Sequence, residues 1–130
     1  YLGYPYDVSL YQKTNFSLIA ETHFEHNQEF HPTEKTYRAI ANCHPFIIAS
    51  TPDFLGCMKR KGYKTFGHII DETYDPIENP QERLDMVIHS LKGALNKSYI
   101  DFEEIVKYNK EVLIKNAKNT QQLIREGIKK

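Results

Sequence analysis

Three consecutive residues, Thr33, Glu34 and Lys35, have side chains suited to holding a nucleotide diphosphate. Thr33 is a good N-cap for the helix-forming stretch that follows. A helix start presents unpaired backbone N–H groups and the positive end of the helix dipole, which together attract anions. Lys35, in the first turn, is badly placed for the dipole of its own helix and well placed to face a phosphate. The Glu34 carboxylate accepts two hydrogen bonds, the number a ribose diol supplies. The plainer reading is a capped helix with solvated Glu34 and Lys35. Arg38, one turn on, pairs with Glu34 across four residues or reaches the ligand, and the ion pair is the favoured of the two.

Other reactive side chains point less far. His23, His26 and His31 lie near Glu21, Glu25 and Glu29, but their spacing matches no compact metal motif, and solvated loop residues are expected. A histidine beside a donor phosphate is the milder alternative. Lys59, Arg60, Lys61 and Lys64 read as a solvated helix end that suits the dipole. Asp71, Glu72 and Asp75 read as solvated loop acids rather than as a divalent-ion site. The sequence contains no Gly-rich dinucleotide fingerprint and no Walker loop.

The elements that position these residues alternate in kind. Residues 1–14 read as an irregular lead-in, and 15–22 as a buried strand with a polar end. A loop over 23–32 precedes the Thr33 helix, and Pro45 to Ser50 reads as a second buried strand. Thr51 then caps a helix to Lys61, stopped by Gly62. Tyr63 to Phe66 is a candidate third strand. Pro80 to Leu95 reads as a helix with Leu84, Val87, Ile88 and Leu91 on its apolar stripe. Asp101 caps a long helix running to residue 128. Such β-α-β runs pair their strands in parallel and bind ligands at the carboxyl ends. Here those ends are Glu21 and Thr22, and Ser50 and Thr51. The expected fold is a single α/β domain over residues 1–130, Rossmann-like and three-layered, with a short parallel sheet and a long C-terminal helix.

The order Asn15-Phe-Ser-Leu-Ile-Ala-Glu-Thr22, loop, Thr33-Glu-Lys-Thr-Tyr-Arg-Ala-Ile40, His44-Pro-Phe-Ile-Ile-Ala-Ser50 resembles the donor-binding region of the alpha-1,3-fucosyltransferase family. The resemblance covers residues 13–51. A longer run through Gly62-Tyr-Lys-Thr-Phe66 and Asp71-Glu-Thr-Tyr-Asp75 also looks like glycosyltransferase-like proteins of phages and large viruses. The family's pattern is an apolar strand ending in Glu-Asn, a short loop, Thr-Glu-Lys opening a helix, and a Pro-led strand. By resemblance, Glu34 and Lys35 bind the ribose and diphosphate of a GDP-fucose-like donor, and Glu21 matches the strand-end glutamate. Thr22 replaces the family's Asn, the loop is longer, His44-Pro45 replaces a Gly-containing entry, and Ser50 stands where Gly is usual. The resemblance implies a glycosyltransferase of the two-domain type, with this chain as its C-terminal half. The donor is its substrate, with no metal and no cofactor. An N-terminal acceptor domain or partner chain completes the enzyme. The alternative it leaves is an inactive glycosyltransferase-like module in an assembly, viral or otherwise.

Composition sets the outer limits. The 130 residues carry 17 Lys+Arg and 17 Asp+Glu, so there is no broad basic footprint for nucleic acid. No apolar run reaches the length of a membrane span. Cys43 and Cys57 read as small buried hydrophobes, which suits a reducing, cytoplasmic compartment, the host's if the protein is viral. The chain starts at Tyr1 rather than Met, as expected of a piece of a longer protein. The stripe Val112, Leu113, Ala117, Ile124 and Ile128 is longer than so small a domain needs, and part of it is expected to lack a partner within the chain.

Overall fold

A computed structural model describes residues 8–21 and 32–127. The chain is an α/β fold built on two short parallel strands, β1 (Ser17–Ala20) and β2 (Phe46–Ala49). Their register pairs Ser17 with Phe46 and Ala20 with Ala49. The crossover between them carries α2 (Glu34–Ala41), so the carboxyl ends of both strands and the start of α2 meet at one edge. Phe46, Ile47 and Ile48 of β2 are fully buried, whereas β1 buries Ile19 and leaves Leu18 half exposed. β2 is thus the inner strand and β1 the outer one.

Among the described residues the sheet has two strands, and side chains close the free edge of β2. The Ile48 N–H donates to the Tyr74 hydroxyl at 3.4 Å, and the Ser50 carbonyl accepts from Arg83 Nε at 2.9 Å. The candidate third strand, residues 63–66, runs extended but pairs with side chains instead. The Asn109 carboxamide accepts from Lys64 N at 2.8 Å and donates to Lys64 O at 2.9 Å, a strand-like pairing made by one side chain. Phe66 N donates to Glu72 at 2.9 Å. Phe66 then links the layers edge to face, its ring 4.9 Å from that of Phe46 and 5.5 Å from that of Phe102. Truncating such a buried ring costs about 3–5 kcal/mol.

Several boundaries differ from the sequence expectation, each for a local reason. The lead-in contains a short helix, α1 (Ser9–Lys13). His44, buried beyond α2, holds it: its Nε2 meets the Thr14 carbonyl at 2.7 Å, its Nδ1 lies 2.5 Å from Ser17 Oγ, and the Tyr11 ring packs edge-on against it. Helix α3 (Phe54–Arg60) starts three residues after Thr51, because Asp53 turns left-handed at φ 63° and its N–H donates to Asp75 O. A Cβ at Gly56 would displace the exposed Asp53 carboxylate. Gly62, at φ 99°, ends α3 as expected, with Tyr63 N bonded to Met58 O and Gly62 N to Lys59 O.

Pro80 opens α4 (Pro80–Ala94) as expected, and Asn79 caps it, its side chain accepting from Glu82 N. The buried stripe is Arg83, Val87, Ser90 and Ala94 rather than the Leu84 stripe, and Leu84 and Ile88 are partly exposed. The helix is turned so that Arg83 reaches Ser50 and Ser90 reaches the Asp71 carbonyl. Asp101 belongs to a capping box with Ser98 on a 3₁₀ turn (Tyr99–Asp101), and α5 (Glu103–Arg125) follows, closed by Gly127 at φ 76°. Residue 128 lies outside the described residues. Val106 and Asn109 bury the first half of α5 in the core, and Val112 and Leu113 pack against it. Beyond them the helix leaves the body, and Ile114 and Ile124 are 45% and 68% exposed.

Candidate functional site

The edge formed by the strand ends and the start of α2 is organised around Glu21. Backbone pairing carries on past β1, with Glu21 N donating to Ala49 O at 3.0 Å, so Glu21 lies beside Ser50. The Glu21 side chain is buried and both its oxygens are engaged. Oε2 accepts from Thr33 N at 2.9 Å and from Thr36 Oγ1 at 2.5 Å, and Oε1 accepts from Thr33 Oγ1 at 2.5 Å. Thr33 is the N-cap, as its sequence position implies, and its hydroxyl oxygen accepts from Lys35 N at 3.3 Å. A carboxylate on a helix N-terminus is electrostatically favourable. Glu21 therefore fixes the helix start.

Lys35 is exposed, and its ammonium donates to Ala20 O at 3.1 Å. It reaches back across the carboxyl end of β1. Glu34 is half-buried beside it, and Arg38 is half-buried one turn further along α2. Ser50 is buried, its carbonyl held by Arg83. Thr22 and the histidine-rich loop that includes His23, His26 and His31 lie outside the described residues. The structure thus joins Glu21 to Thr33, ties the Lys35 N–H to Thr33 and its ammonium to the Ala20 carbonyl, and sets Ser50 next to Glu21 in register, while Glu34 and Arg38 lie along α2.

Of the acids at 71–75, Asp71 is an exposed loop carboxylate as expected, whereas Glu72 and Asp75 are half-buried and bonded to the backbone. Asp75 accepts from Leu55 N at 2.9 Å and Gly56 N at 3.2 Å, which closes the start of α3. Burial pushes its pKa up, against the lowering effect of those two bonds. Glu72 accepts from Thr65 Oγ1 at 2.7 Å and Phe66 N, and burial raises its pKa too. Asp71 is held below the usual range by the hydroxyl and N–H of Thr73. Among the described residues, no group of three or more His, Cys, Asp or Glu side chains is arranged to hold a metal ion. The basic run is an exposed helix end: Arg60 pairs with Asp53 at 2.6 Å, and Lys64 sits 4.3 Å from the Tyr108 ring centre. No described helix is long and apolar enough to cross a membrane. Both cysteines are free and half-buried; Cys43 occupies a left-handed turn after α2, at φ 53°, rather than the helix itself.

Sequence reasoning missed Thr36, Asp75 and Arg83. Arg83 is fully buried, with Nε on Ser50 O and Nη1 on the carbonyls of Ile77 and Glu78 at 2.7 and 3.1 Å. Desolvation lowers its pKa, and the charge of Asp75 opposes that. Its signal was present: Arg83, Val87, Ser90 and Ala94 follow the helical four-three-four spacing of a buried face.

Comparison with protein-family models, curated proteins and solved structures finds no match for this chain.

Proposed function

We propose that this chain is the donor-binding unit of a glycosyltransferase, Rossmann-like in plan, which takes a nucleotide-diphosphate sugar and passes the sugar to a hydroxyl acceptor. One observation supports this above all: an exposed ammonium, Lys35, lies at the start of a capped helix and over the carboxyl end of a parallel strand. In parallel α/β sheets that edge is where ligands bind. The Ala20 carbonyl that Lys35 touches does not neutralise its charge, so a diphosphate gains a full ion pair there. Lys35 stabilises the negative charge that builds on the departing diphosphate. Glu34 accepts from the ribose diol, with Arg38 flanking it. Glu21 holds Thr33 and Thr36 so that the helix start is pre-set, and Ser50 lies beside Glu21 in register. A second domain or partner chain supplies the acceptor.

The test is a thermal-shift screen against GDP-, UDP-, CMP- and dTDP-sugars. A ligand at a hundredfold excess over its Kd stabilises by about 2.7 kcal/mol. Lys35→Ala should leave the unliganded melting temperature nearly unchanged, since an exposed lysine adds little to stability, and should abolish most of the ligand shift. An equal shift in parent and mutant would remove Lys35 from the site.

A second reading, a glycosyltransferase-like module that serves in an assembly, draws on the far half of α5. Its exposed Ile114 and Ile124 are the kind of surface a partner chain covers.

A further inference from the structure

Away from the strand ends, a groove of about 810 Å³ lies between α2, the turn at Lys61–Tyr63 and the second half of α5. That volume falls within the range of small-molecule sites, about 300–1,000 Å³. We propose that this groove binds a saccharide. The inference does not depend on the donor site at the strand ends.

The lining argues for that ligand class. Tyr37 and Tyr63 contribute two aromatic rings, while Leu113 and Leu123 of α5 give an apolar floor. Burial raises the pKa of both tyrosines, so their hydroxyls stay neutral and can both donate and accept. Asn116, Asn119 and Thr120 follow along one face of α5, adding two carboxamides and a hydroxyl. Lys61 adds a single cation, and the lining contains no carboxylate. A pyranose presents an apolar C–H face for a tyrosine ring and hydroxyls that each donate and accept. Those hydroxyls need partners of both kinds, which carboxamides and neutral phenols supply. A phosphate-bearing ligand would meet only one cation here. A purely apolar ligand would cover the Asn119 carboxamide without giving it a partner, which is costly.

The Asn116 side chain is engaged with the Tyr63 hydroxyl, whereas Asn119 and Thr120 are exposed on the far half of α5, away from the core, where substitution is safe. The sequence has 9 Tyr and no Trp, so tyrosine emission reports directly on a ligand that reaches Tyr37 and Tyr63.

The experiment titrates the chain with chitotriose, maltotriose and N-acetyllactosamine, followed by tyrosine emission and by saturation-transfer NMR. At least one saccharide is expected to saturate. The double substitution Asn119→Ala with Thr120→Ala should weaken it about tenfold, from the loss of two hydrogen bonds, at an unchanged melting temperature. Three results overturn the proposal: no saturation by any of the three, saturation unaffected by the double substitution, or tighter saturation of the groove by uridine monophosphate. Lys35→Ala separates the two sites. It should leave saccharide binding intact while removing nucleotide-sugar binding, so either site can fail without the other.

Discussion

Two helices of this chain, α2 and α3, begin in the same way and end up with different prospects. Each N-terminus is closed by a carboxylate from another part of the chain: Glu21 for α2, Asp75 for α3. At α3 the closure is complete. Asp75 takes two N–H groups with its side chain and a third with its carbonyl, and the adjoining strand end is held by buried Arg83. The exposed cation nearby, Arg60, already has Asp53 as counter-ion. At α2 the carboxylate engages one N–H and two hydroxyls, and the exposed cation, Lys35, reaches a neutral carbonyl. A carboxylate cap fills an anion site, so a capped helix start is not by itself a ligand site. What sets α2 apart is the charge left beside its cap.

Arg83 offers the strongest way to break this contrast. Arg83→Met keeps the buried stem but leaves the carbonyls of Ser50, Ile77 and Glu78 without their donor, and it removes a charge that faces Asp75. Loss of one partner from a buried charged network costs about 3–5 kcal/mol. Urea unfolding should show that fall in full, at every nucleotide concentration. A loss under about 1 kcal/mol would mean that the Arg83 contacts do not organise the strand end.

Next in size are the two caps themselves. Asp75→Ala and Glu21→Ala each leave buried donors unsatisfied, at about 1–3 kcal/mol. The contrast is sharpened by what accompanies that loss. Asp75→Ala should lower stability and leave nucleotide-sugar affinity unchanged once the folded fraction is allowed for. Glu21→Ala should lower both, because Thr33 and Lys35 lose their fixed position. Parallel behaviour of the two mutants in the ligand titration would put the binding site elsewhere.

The part of this that could be read in the sequence follows from how local each signal is. Thr33 as a cap, Gly62 as a stop, Pro80 as a start and the buried second strand all rest on neighbours within a turn, and they hold, whereas the first strand is shorter than its apolar run and buries only Ile19. The third strand failed because its pairing partners, Asn109 and Glu72, are side chains distant in sequence or out of any strand pattern. The expected stripe on α4 is half right: Val87 and Leu91 face the core, while Leu84 and Ile88 do not, because hydrophobicity alone does not show that the buried face also carries Arg83 and its three carbonyls. The acids at 71–75 looked like solvated loop residues because nothing local reveals that Asp75 closes α3, or that Glu72 takes the Phe66 N–H. In the candidate site, Thr33 and Lys35 were visible as a motif. That Glu21 would spend both oxygens on α2 was not, because it depends on the register of β1 against β2.

The smallest effect expected is in the pH dependence at the start of α3. Burial raises the Asp75 pKa in the folded chain above its ordinary value of 3.8. The folded state therefore holds that proton more tightly than the unfolded state does. Its contribution to stability is fully present below the ordinary value and is lost as pH rises through the raised one. Asp75→Asn keeps an acceptor for Leu55 N and removes the titration. Relative to the parent, then, the Asn variant should gain stability between about pH 4 and pH 7, a window set by the ordinary carboxylate value and the direction of the shift. Asp75 is only partly buried, so solvent screening keeps the change under about 1 kcal/mol. Urea midpoints of the two proteins across that range measure it. Asp71, held low by Thr73, has the opposite sign, because its contribution is lost as pH falls through its lowered value. It is common to both proteins and cancels in the difference. A difference that shrank with rising pH, turning against the Asn variant, would mean that the two N–H bonds of Leu55 and Gly56 outweigh desolvation, and that the α3 cap is held by charge just as the α2 edge is proposed to hold its ligand.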